Sequence, residues 1–216
     1  MSFELTSGAE ARWTNAPGRC AVVCVNGGTA AEVPGTWSAS VEWLVRRLAL
    51  DFTGLGFLEV RYRTKSWRRL ESCIEDARTA VDAARDAGAE EIALMGYSMG
   101  GAVAVHVAAH PAVKSVIGLA PWLHPQLDLA PLEGRRFAIV HGSLDGGLPG
   151  LPGVSPALSL QGFERARAQG VEVVRTVIPF APHAIALRRR SGGLIPLPRA
   201  SRWAELVAVE LERFCA

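Results

Sequence analysis

The residues with the clearest chemical potential are Gly96-Tyr97-Ser98-Met99-Gly100, which match the pattern Gly-x-Ser-x-Gly. This pattern carries a nucleophilic serine on a sharp turn between a strand and a helix. The apolar run at residues 92–95 comes before it, and a small-residue segment typical of a helix, residues 101–109, follows it. Side chains at positions 96 and 100 would collide with neighbouring backbone in such a turn, so glycine is expected there. We therefore predict that Ser98 is a nucleophile exposed at the end of a strand.

The elements that must position this serine alternate along the chain. From about residue 20 onward, apolar strand-like runs are followed by segments with helical periodicity, which predicts an α/β fold with a mostly parallel sheet and helices on both faces. Strands are expected near residues 20–25, 57–60, 92–95, 116–119, 137–140 and 171–178. The first 19 residues are expected to form a hairpin on the edge of the sheet.

Capping residues and runs of proline and glycine predict where some helices begin and where loops lie. Thr36 is expected to cap the helix that starts near Trp37, and Ser155 followed by Pro156 is expected to open another helix. Residues 146–156 and 191–198 are rich in proline and glycine and are expected to be loops. Such loops in an α/β sheet usually follow the carboxyl ends of strands, where ligands bind.

Bulk properties narrow the class of protein. The chain has 216 residues, which suggests a single domain over 1–216, and its net charge of +2 does not suggest a nucleic acid or an anionic membrane as a partner. It has no signal-peptide pattern and no apolar stretch long enough to span a membrane. Cys20 and Cys24 fall in one predicted strand at ~13 Å, too far apart for a disulfide. The four cysteines are expected to be free thiols in the cytoplasm.

With its serine motif between a strand and a helix, the chain from about Arg19 onward resembles the α/β-hydrolase superfamily. The resemblance is to small, cap-less serine hydrolases of the dienelactone-hydrolase or carboxylesterase type. Many members insert a helical cap between the strands that here end near Leu119 and begin near Phe137, and this interval is too short for one. The fold orders its catalytic triad as serine, acid and histidine along the chain.

The resemblance implies that His183 is the general base, because it follows the last strand in Pro179-Phe180-Ala181-Pro182-His183. Histidine suits this task since its ordinary pKa lies near the working pH. The family tends to place glycines just before this histidine, whereas Phe180 and Pro182 stand here. His124, in the loop after residue 120, is the competing candidate.

The resemblance also places the acid at Asp145, which lies in His141-Gly142-Ser143-Leu144-Asp145 with the spacing of the family's acid loop. An acid there would hold the tautomer of the imidazole and stabilise the imidazolium. Asp128 is the alternative, since some relatives carry the acid on the loop after the preceding strand.

Acyl transfer also needs backbone N–H groups directed at the developing oxyanion. One donor is expected at Met99, immediately after the nucleophile. The other is expected in Asn26-Gly27-Gly28-Thr29, which resembles the family's His-Gly-x motif with Asn26 in place of histidine. Gly28 is the predicted donor, and Thr29 is possible.

Without a cap, the site is expected to be shallow and open. Thr29, Trp122 and Leu123, with the loops near Trp37 and Trp67, are expected to shape the substrate pocket. The stretch Arg61-Tyr62-Arg63-Thr64-Lys65-Ser66-Trp67 stands where the family commonly has Asp-x-Arg-Gly-x-Gly. Its cations would either attract an anionic substrate or form structural salt bridges.

The expected activity is therefore that of a serine hydrolase cleaving a small carboxylic ester or thioester through an acyl-enzyme on Ser98. The alternatives are acyl transfer, perhydrolysis or carbon–carbon cleavage by the same residues, and a catalytically silent binding protein of this fold. No metal-ligand spacing, phosphate cradle or dinucleotide fingerprint is present in the sequence, so neither a metal nor a cofactor is expected. The expected partner is a small-molecule ester or thioester.

Overall fold

A computed structural model of the chain describes residues 1–146 and 153–216. Its main strands are β1 (Ser2–Glu4), β2 (Glu10–Thr14), β3 (Cys20–Val25), β4 (Val33–Pro34), β5 (Gly56–Arg61), β6 (Thr64–Lys65), β7 (Glu91–Tyr97), β8 (Val113–Leu119), β9 (Arg136–Gly142), β10 (Glu172–Ile178), β11 (Ala186–Arg188) and β12 (Leu194–Pro196). The α-helices are α1 (Ala39–Leu48), α2 (Leu70–Asp86), α3 (Met99–Val107), α4 (Pro156–Ala168) and α5 (Ala200–Cys215).

Eight of these strands form one sheet in the order β1-β2-β5-β3-β7-β8-β9-β10. The pairs β1–β2 and β2–β5 are antiparallel, and all pairs from β5 to β10 are parallel. The predicted mostly parallel α/β sheet is confirmed. The hairpin expected at the amino-terminal edge is present as β1 and β2.

Helices cover both faces of the sheet, which explains why β3 is apolar at every position. Successive side chains of a strand point to opposite faces. Accordingly, Val23 belongs to the core under α2, α3 and α4, whereas Val22 belongs to the core under α1 and α5. Trp203 of α5 is the largest fully buried side chain in the second of these cores.

Two local predictions need correction. The amino-terminal cap of α1 is Ser38 and not Thr36, because the Ser38 hydroxyl accepts a hydrogen bond from the N–H of Val41 at 3.3 Å. The second Pro/Gly-rich stretch, 191–198, contains strand β12, which pairs with β11 in an antiparallel ribbon. The cap of α4 is Ser155, with Pro156 in the first turn, as predicted.

The interval between β8 and β9 contains one turn of 3-10 helix, Ala130–Leu132, and no further helix. The predicted absence of a helical cap is therefore confirmed. None of the helices in the described residues is long and apolar enough to cross a membrane. All four cysteines are unpaired, and burial raises the pKa of the Cys73 thiol to about 11.

Candidate active site

Ser98 stands alone between β7 and α3 in a conformation that non-glycine residues rarely adopt. Its φ is 57° and its ψ is −121°. The Ser98 N–H donates to the carbonyl of Leu119, and the Ser98 carbonyl accepts from the N–H groups of Gly101 and Trp122, each at 2.9 Å. Such a conformation persists only where the surroundings hold it, and it is found most often at functional sites. These three bonds supply that restraint.

The two glycines of the motif are required by close backbone contacts. A Cβ atom on Gly96 would overlap the carbonyl oxygen of Gly100, and one on Gly100 would lie 2.6 Å from the carbonyl oxygens of Val25 and Asn26. These atoms belong to backbone, which cannot move aside as a side chain can. The collisions expected from the sequence at both positions are confirmed.

The loops after β9 and β10 bring Asp145 and His183 together. Nδ1 of His183 lies 2.7 Å from Oδ2 of Asp145. The two loops are joined by backbone hydrogen bonds, from Ser143 N–H to the Ile178 carbonyl and from Leu144 N–H to the Ala181 carbonyl, each at 3.0 Å. The pairing of acid and histidine is thus fixed by the backbone around it.

Three N–H groups surround the Asp145 carboxylate, whose side chain is fully buried. Besides His183, Nε2 of His141 lies 3.0 Å from Oδ2, and the N–H of Val154 donates to Oδ1 at 2.7 Å. Nε2 of His141 is also 2.8 Å from the Val154 carbonyl, which can only accept, so this nitrogen carries the proton. Burial alone would raise the pKa of Asp145, but hydrogen bonds from His141 and His183 outweigh it and lower that pKa. Asp145 is accordingly an anion at neutral pH.

The loop before His183 keeps a glycine-like conformation without glycine. Phe180 has a φ of 59°, in the left-handed region that glycine occupies freely. Its N–H donates to the Ser143 hydroxyl at 2.8 Å, which ties it to the loop that carries Asp145. The substitution noticed in the sequence therefore does not move His183 away from the acid.

Tyr97 contacts His183, and this contact was not predicted from the sequence. Its hydroxyl donates to the backbone carbonyl of His183 at 3.3 Å, and the two rings lie 5.1 Å apart. Burial raises the pKa of Tyr97, so the phenol stays protonated and can donate this bond. In the sequence, the only feature that pointed to a role for Tyr97 was its position next to Ser98 in the serine motif.

The two residues predicted to supply the oxyanion donors, Met99 and Gly28, are in contact. Met99 is the first residue of α3, and an N–H at that position has no acceptor within its own helix. Gly28 packs directly on the Met99 side chain, since a Cβ on Gly28 would lie 2.8 Å from Met99 Cε. Asn26, which stands where the family has histidine, anchors this loop through Nδ2 to the carbonyls of Thr36 and Val60, at 3.1 and 3.0 Å.

Ser98 and His183 face one cavity of about 310 Å³. Its wall combines the predicted serine, histidine and glycine loop with aromatic, polar and cationic side chains from the loops after β3 and β5. The lining residues are Asn26, Gly27, Gly28, Thr36, Trp37, Ser38, Ala39, Lys65, Trp67, Tyr97, Ser98, Gly153, Val154 and His183. Of the Pro/Gly-rich loop at 146–156, residues 147–152 lie outside the described part of the chain.

The predicted pocket residues Thr29, Trp122 and Leu123 do not line this cavity. Leu123 is fully buried, and a Cβ on Gly162 would lie 2.7 Å from its Cβ, so it belongs to the core beneath α4. Trp122 packs instead against Trp67, at 5.9 Å between ring centroids. The Thr29 hydroxyl donates to the Ala31 carbonyl at 2.7 Å, within its own loop. The loops near Trp37 and Trp67, which were also predicted to shape the pocket, do line the cavity, and Lys65 lines it with them.

The alternative base and acid lie elsewhere. His124 packs on Trp122 at 4.6 Å between centroids and does not line the cavity. Asp128 is exposed, and its carboxylate accepts from the N–H of Ala130 at 3.0 Å. Among residues 1–146 and 153–216, no group of three His, Cys, Asp or Glu side chains is placed to hold a metal ion.

Comparison with known proteins agrees with this geometry. The sheet order, the strained serine between strand and helix, and the loops carrying acid and histidine are those of an α/β-hydrolase fold. A family model described as serine aminopeptidase, S33, matches residues 22–148, and the chain belongs to this family. A search of curated proteins gives no match.

Solved structures show the same fold at low sequence identity. An α/β serine hydrolase homologue from Coxiella burnetii is 19% identical with a TM-score of 0.70, covering 98% of this chain and 96% of that one. An α/β-hydrolase enzyme from a Medee basin deep-sea metagenome is 18% identical with a TM-score of 0.73, covering 99% and 97%. A lid-less α/β serine hydrolase from Xanthomonas campestris is 16% identical with a TM-score of 0.64, covering 85% and 84%.

Proposed function

We propose that the protein is a serine hydrolase that cleaves a small carboxylic ester or thioester through an acyl-enzyme on Ser98. The observation that carries the proposal is the 2.7 Å contact between His183 and a buried, ionised Asp145, beside a cavity that Ser98 also faces. A nucleophile, a base and an acid that orients the base are the parts that this chemistry requires.

In the proposed mechanism, Nδ1–H of His183 donates to Asp145, which leaves Nε2 free to accept a proton. Ser98 attacks the carbonyl carbon of the substrate and gives its hydroxyl proton to that nitrogen. The tetrahedral oxyanion is stabilised by the backbone N–H groups of Met99 and Gly28. The tetrahedral intermediate then collapses and expels the alcohol or thiol, which takes the proton from His183. A water molecule then attacks the acyl-enzyme through the same steps and releases the carboxylic acid product.

The cavity favours small esters over the peptide substrates that the family description names. An aminopeptidase must accommodate a free amino terminus, which is commonly an ammonium group and is best met by a carboxylate. No Asp or Glu is among the described residues that line the cavity, and residues 147–152 contain none. Lys65 would instead repel an ammonium group. A volume of about 310 Å³ lies at the lower end of ligand pockets.

Two broader expectations accompany this proposal. We propose that residues 1–216 work as one domain, because strands between Ser2 and Ile178 share one sheet and α5 packs into its core. The cytoplasmic location and the lack of nucleic-acid or membrane partners stay predictions from the sequence.

Ser98→Ala tests the proposal. It should lower kcat for 4-nitrophenyl esters or acyl-CoA thioesters by about 10⁴-fold or more, and it should abolish labelling by a fluorophosphonate probe. Ser191→Ala, in an exposed turn, is the matched control and should keep both. An unlabelled wild-type protein would indicate a silent binding protein. Labelling without hydrolysis of any of these substrates would point to another use of the same residues.

A further inference from the structure

Among the described residues, those that line the cavity in front of Ser98 bring a positive charge and no negative one. Lys65 is the cationic side chain in its described wall, and that wall contains no acid. Asp145 is buried behind His183, with its oxygens engaged by three N–H groups. Residues 147–152 read Gly-Leu-Pro-Gly-Leu-Pro and bring no charge of their own.

Lys65 differs from the arginines that precede it in the chain. Arg61 pairs with Glu10, and Arg63 pairs with Asp76 at 2.7 Å, so both are structural cations. Within residues 1–146 and 153–216, Lys65 forms no ion pair; its Nζ donates to the hydroxyl of Thr36 at 2.8 Å. An ammonium group has three N–H donors, so two remain for a ligand.

The backbone of Lys65 is held in place before any ligand arrives. Strand β6 pairs with β4, which sets Lys65 opposite Val33. The Lys65 carbonyl accepts from the Thr29 hydroxyl at 3.3 Å, and the Thr29 carbonyl accepts from the N–H of Trp67 at 3.2 Å. Because the backbone is fixed, an interaction with Lys65 costs little ordering of the main chain.

Aromatic rings complete this side of the cavity. Trp37 and Trp67 both line it. The Arg12 guanidinium lies 4.3 Å from the centre of the Trp37 ring and is itself paired with Glu59 at 2.9 Å. This side of the cavity therefore combines two aromatic side chains with the Lys65 ammonium, which suits a substrate with an apolar body and one anionic group.

We propose that Lys65 is a specificity-determining residue that binds an anionic group on the ester or thioester substrate. The inference rests on the proposed function of Ser98 and names the substrate class for that site. The anion can belong either to the acyl part or to the leaving group, and the experiment distinguishes the two.

Matched pairs of esters that differ only in charge test this proposal. The acyl-side pair is 4-nitrophenyl hydrogen adipate and its methyl ester, and the leaving-group pair is 3-acetoxybenzoate and its methyl ester. The quantity measured is the ratio of kcat/KM for the anionic ester to that for the neutral ester. We expect Lys65→Gln to lower this ratio about tenfold or more in one of the pairs, mainly through KM.

The chain offers sharp controls, because Lys65 and Lys114 are its only lysines. Lys114 is exposed and donates to the Pro111 carbonyl, so Lys114→Gln should leave the ratio unchanged. Lys65→Arg keeps the charge and should retain most of the ratio. The wild-type ratio should also fall as NaCl is raised from about 0.02 M to about 0.5 M, since salt screens exposed charges.

The outcomes separate this inference from the proposed function. If the wild type hydrolyses the esters through Ser98 but Lys65→Gln leaves both ratios unchanged, Lys65 is not an anion-binding residue and only this inference fails. An equal loss in Lys65→Arg and Lys65→Gln would mean that the side chain acts structurally, which also overturns it. If the wild type hydrolyses none of the four esters, the proposed function is wrong and the inference falls with it.

Discussion

The hydrogen bonds around Asp145 make Asp145→Asn the most informative single substitution. All three partners of the carboxylate donate: Nδ1 of His183 at 2.7 Å, Nε2 of His141 at 3.0 Å and the N–H of Val154 at 2.7 Å. An asparagine has one accepting oxygen and one donating NH₂ group. Whichever way the amide turns, its NH₂ must therefore face at least one of these N–H groups.

Each orientation of the amide disturbs the site in a different way. If its oxygen faces the two histidines, the Val154 N–H is left buried without an acceptor. Losing a hydrogen bond to a charged group costs about 1.5–3 kcal/mol. If the NH₂ faces His183 instead, that ring must accept at Nδ1 and carry its proton on Nε2, where it cannot serve as a base. In both cases the charge that stabilises the imidazolium is lost, and we expect kcat to fall by about 10²- to 10⁴-fold.

The lowered pKa of Asp145 also determines how the free energy of unfolding depends on pH. A carboxylate with a lower pKa in the folded state than in the unfolded state stabilises the fold above its unfolded pKa, about 3.9. That stabilisation is lost as the pH falls through the folded pKa. The free energy of unfolding of the wild type should therefore decline more steeply below pH ~4 than that of Asp145→Asn, which has no such carboxylate to protonate.

The assays are kcat for 4-nitrophenyl acetate at pH 7 and urea unfolding at pH 7 and at low pH. Asp128→Asn is the matched control, because Asp128 is exposed and its one acceptor role, toward Ala130 N–H at 3.0 Å, can be kept by an amide oxygen. It should change the free energy of unfolding by less than about 0.5 kcal/mol. Near-normal kcat in Asp145→Asn, or a large loss in Asp128→Asn, would refute the assignment of the acid.

Two further predictions concern the base and the turn. His183→Ala should remove nearly all hydrolysis of 4-nitrophenyl acetate, because the base that takes the Ser98 proton is lost, whereas His124→Ala should keep it; near-normal kcat in His183→Ala would reopen the choice of base. Gly96→Ala forces a Cβ onto the Gly100 carbonyl and should lower the free energy of unfolding by about 3 kcal/mol or more. Gly54→Ala, which meets no atom within 4 Å, should change it by less than about 1 kcal/mol in the same urea titration; equal effects of the two substitutions would contradict the steric argument.

Much of the fold could be predicted because it depends on local periodicity. The strand at Cys20–Val25 is apolar throughout, since both faces of the sheet are covered, and this pattern is visible in the sequence. Helix α4 begins at the predicted Ser155-Pro156 pair, where a cap and a first-turn proline act within a few residues. Thr36 failed as a cap because Ser38 is an equally suitable residue two positions on, and geometry decides between them.

The pocket wall was predicted less well because it depends on where side chains point after packing. Trp122 and Leu123 follow a strand end, as a pocket residue should, but Leu123 is buried beneath α4. In the sequence, Lys65 is one of several neighbouring cations. Only the fold shows that Arg61 and Arg63 pair with acids from β2 and α2. Those acids are distant in sequence, so spacing alone does not reveal them.

The loop before His183 shows why a departure from a family's residues need not change the site. What the proposed triad requires there is a backbone conformation, and Phe180 supplies it with a φ of 59°. A non-glycine residue in this region costs roughly 1–2 kcal/mol. Two hydrogen bonds hold the turn and offset that cost: one from Phe180 N–H to the Ser143 hydroxyl, and one from Leu144 N–H to the Ala181 carbonyl. Because these hydrogen bonds link the loop that carries Asp145 to the loop that carries His183, the restraint that permits Phe180 also keeps the two side chains within hydrogen-bond distance of each other.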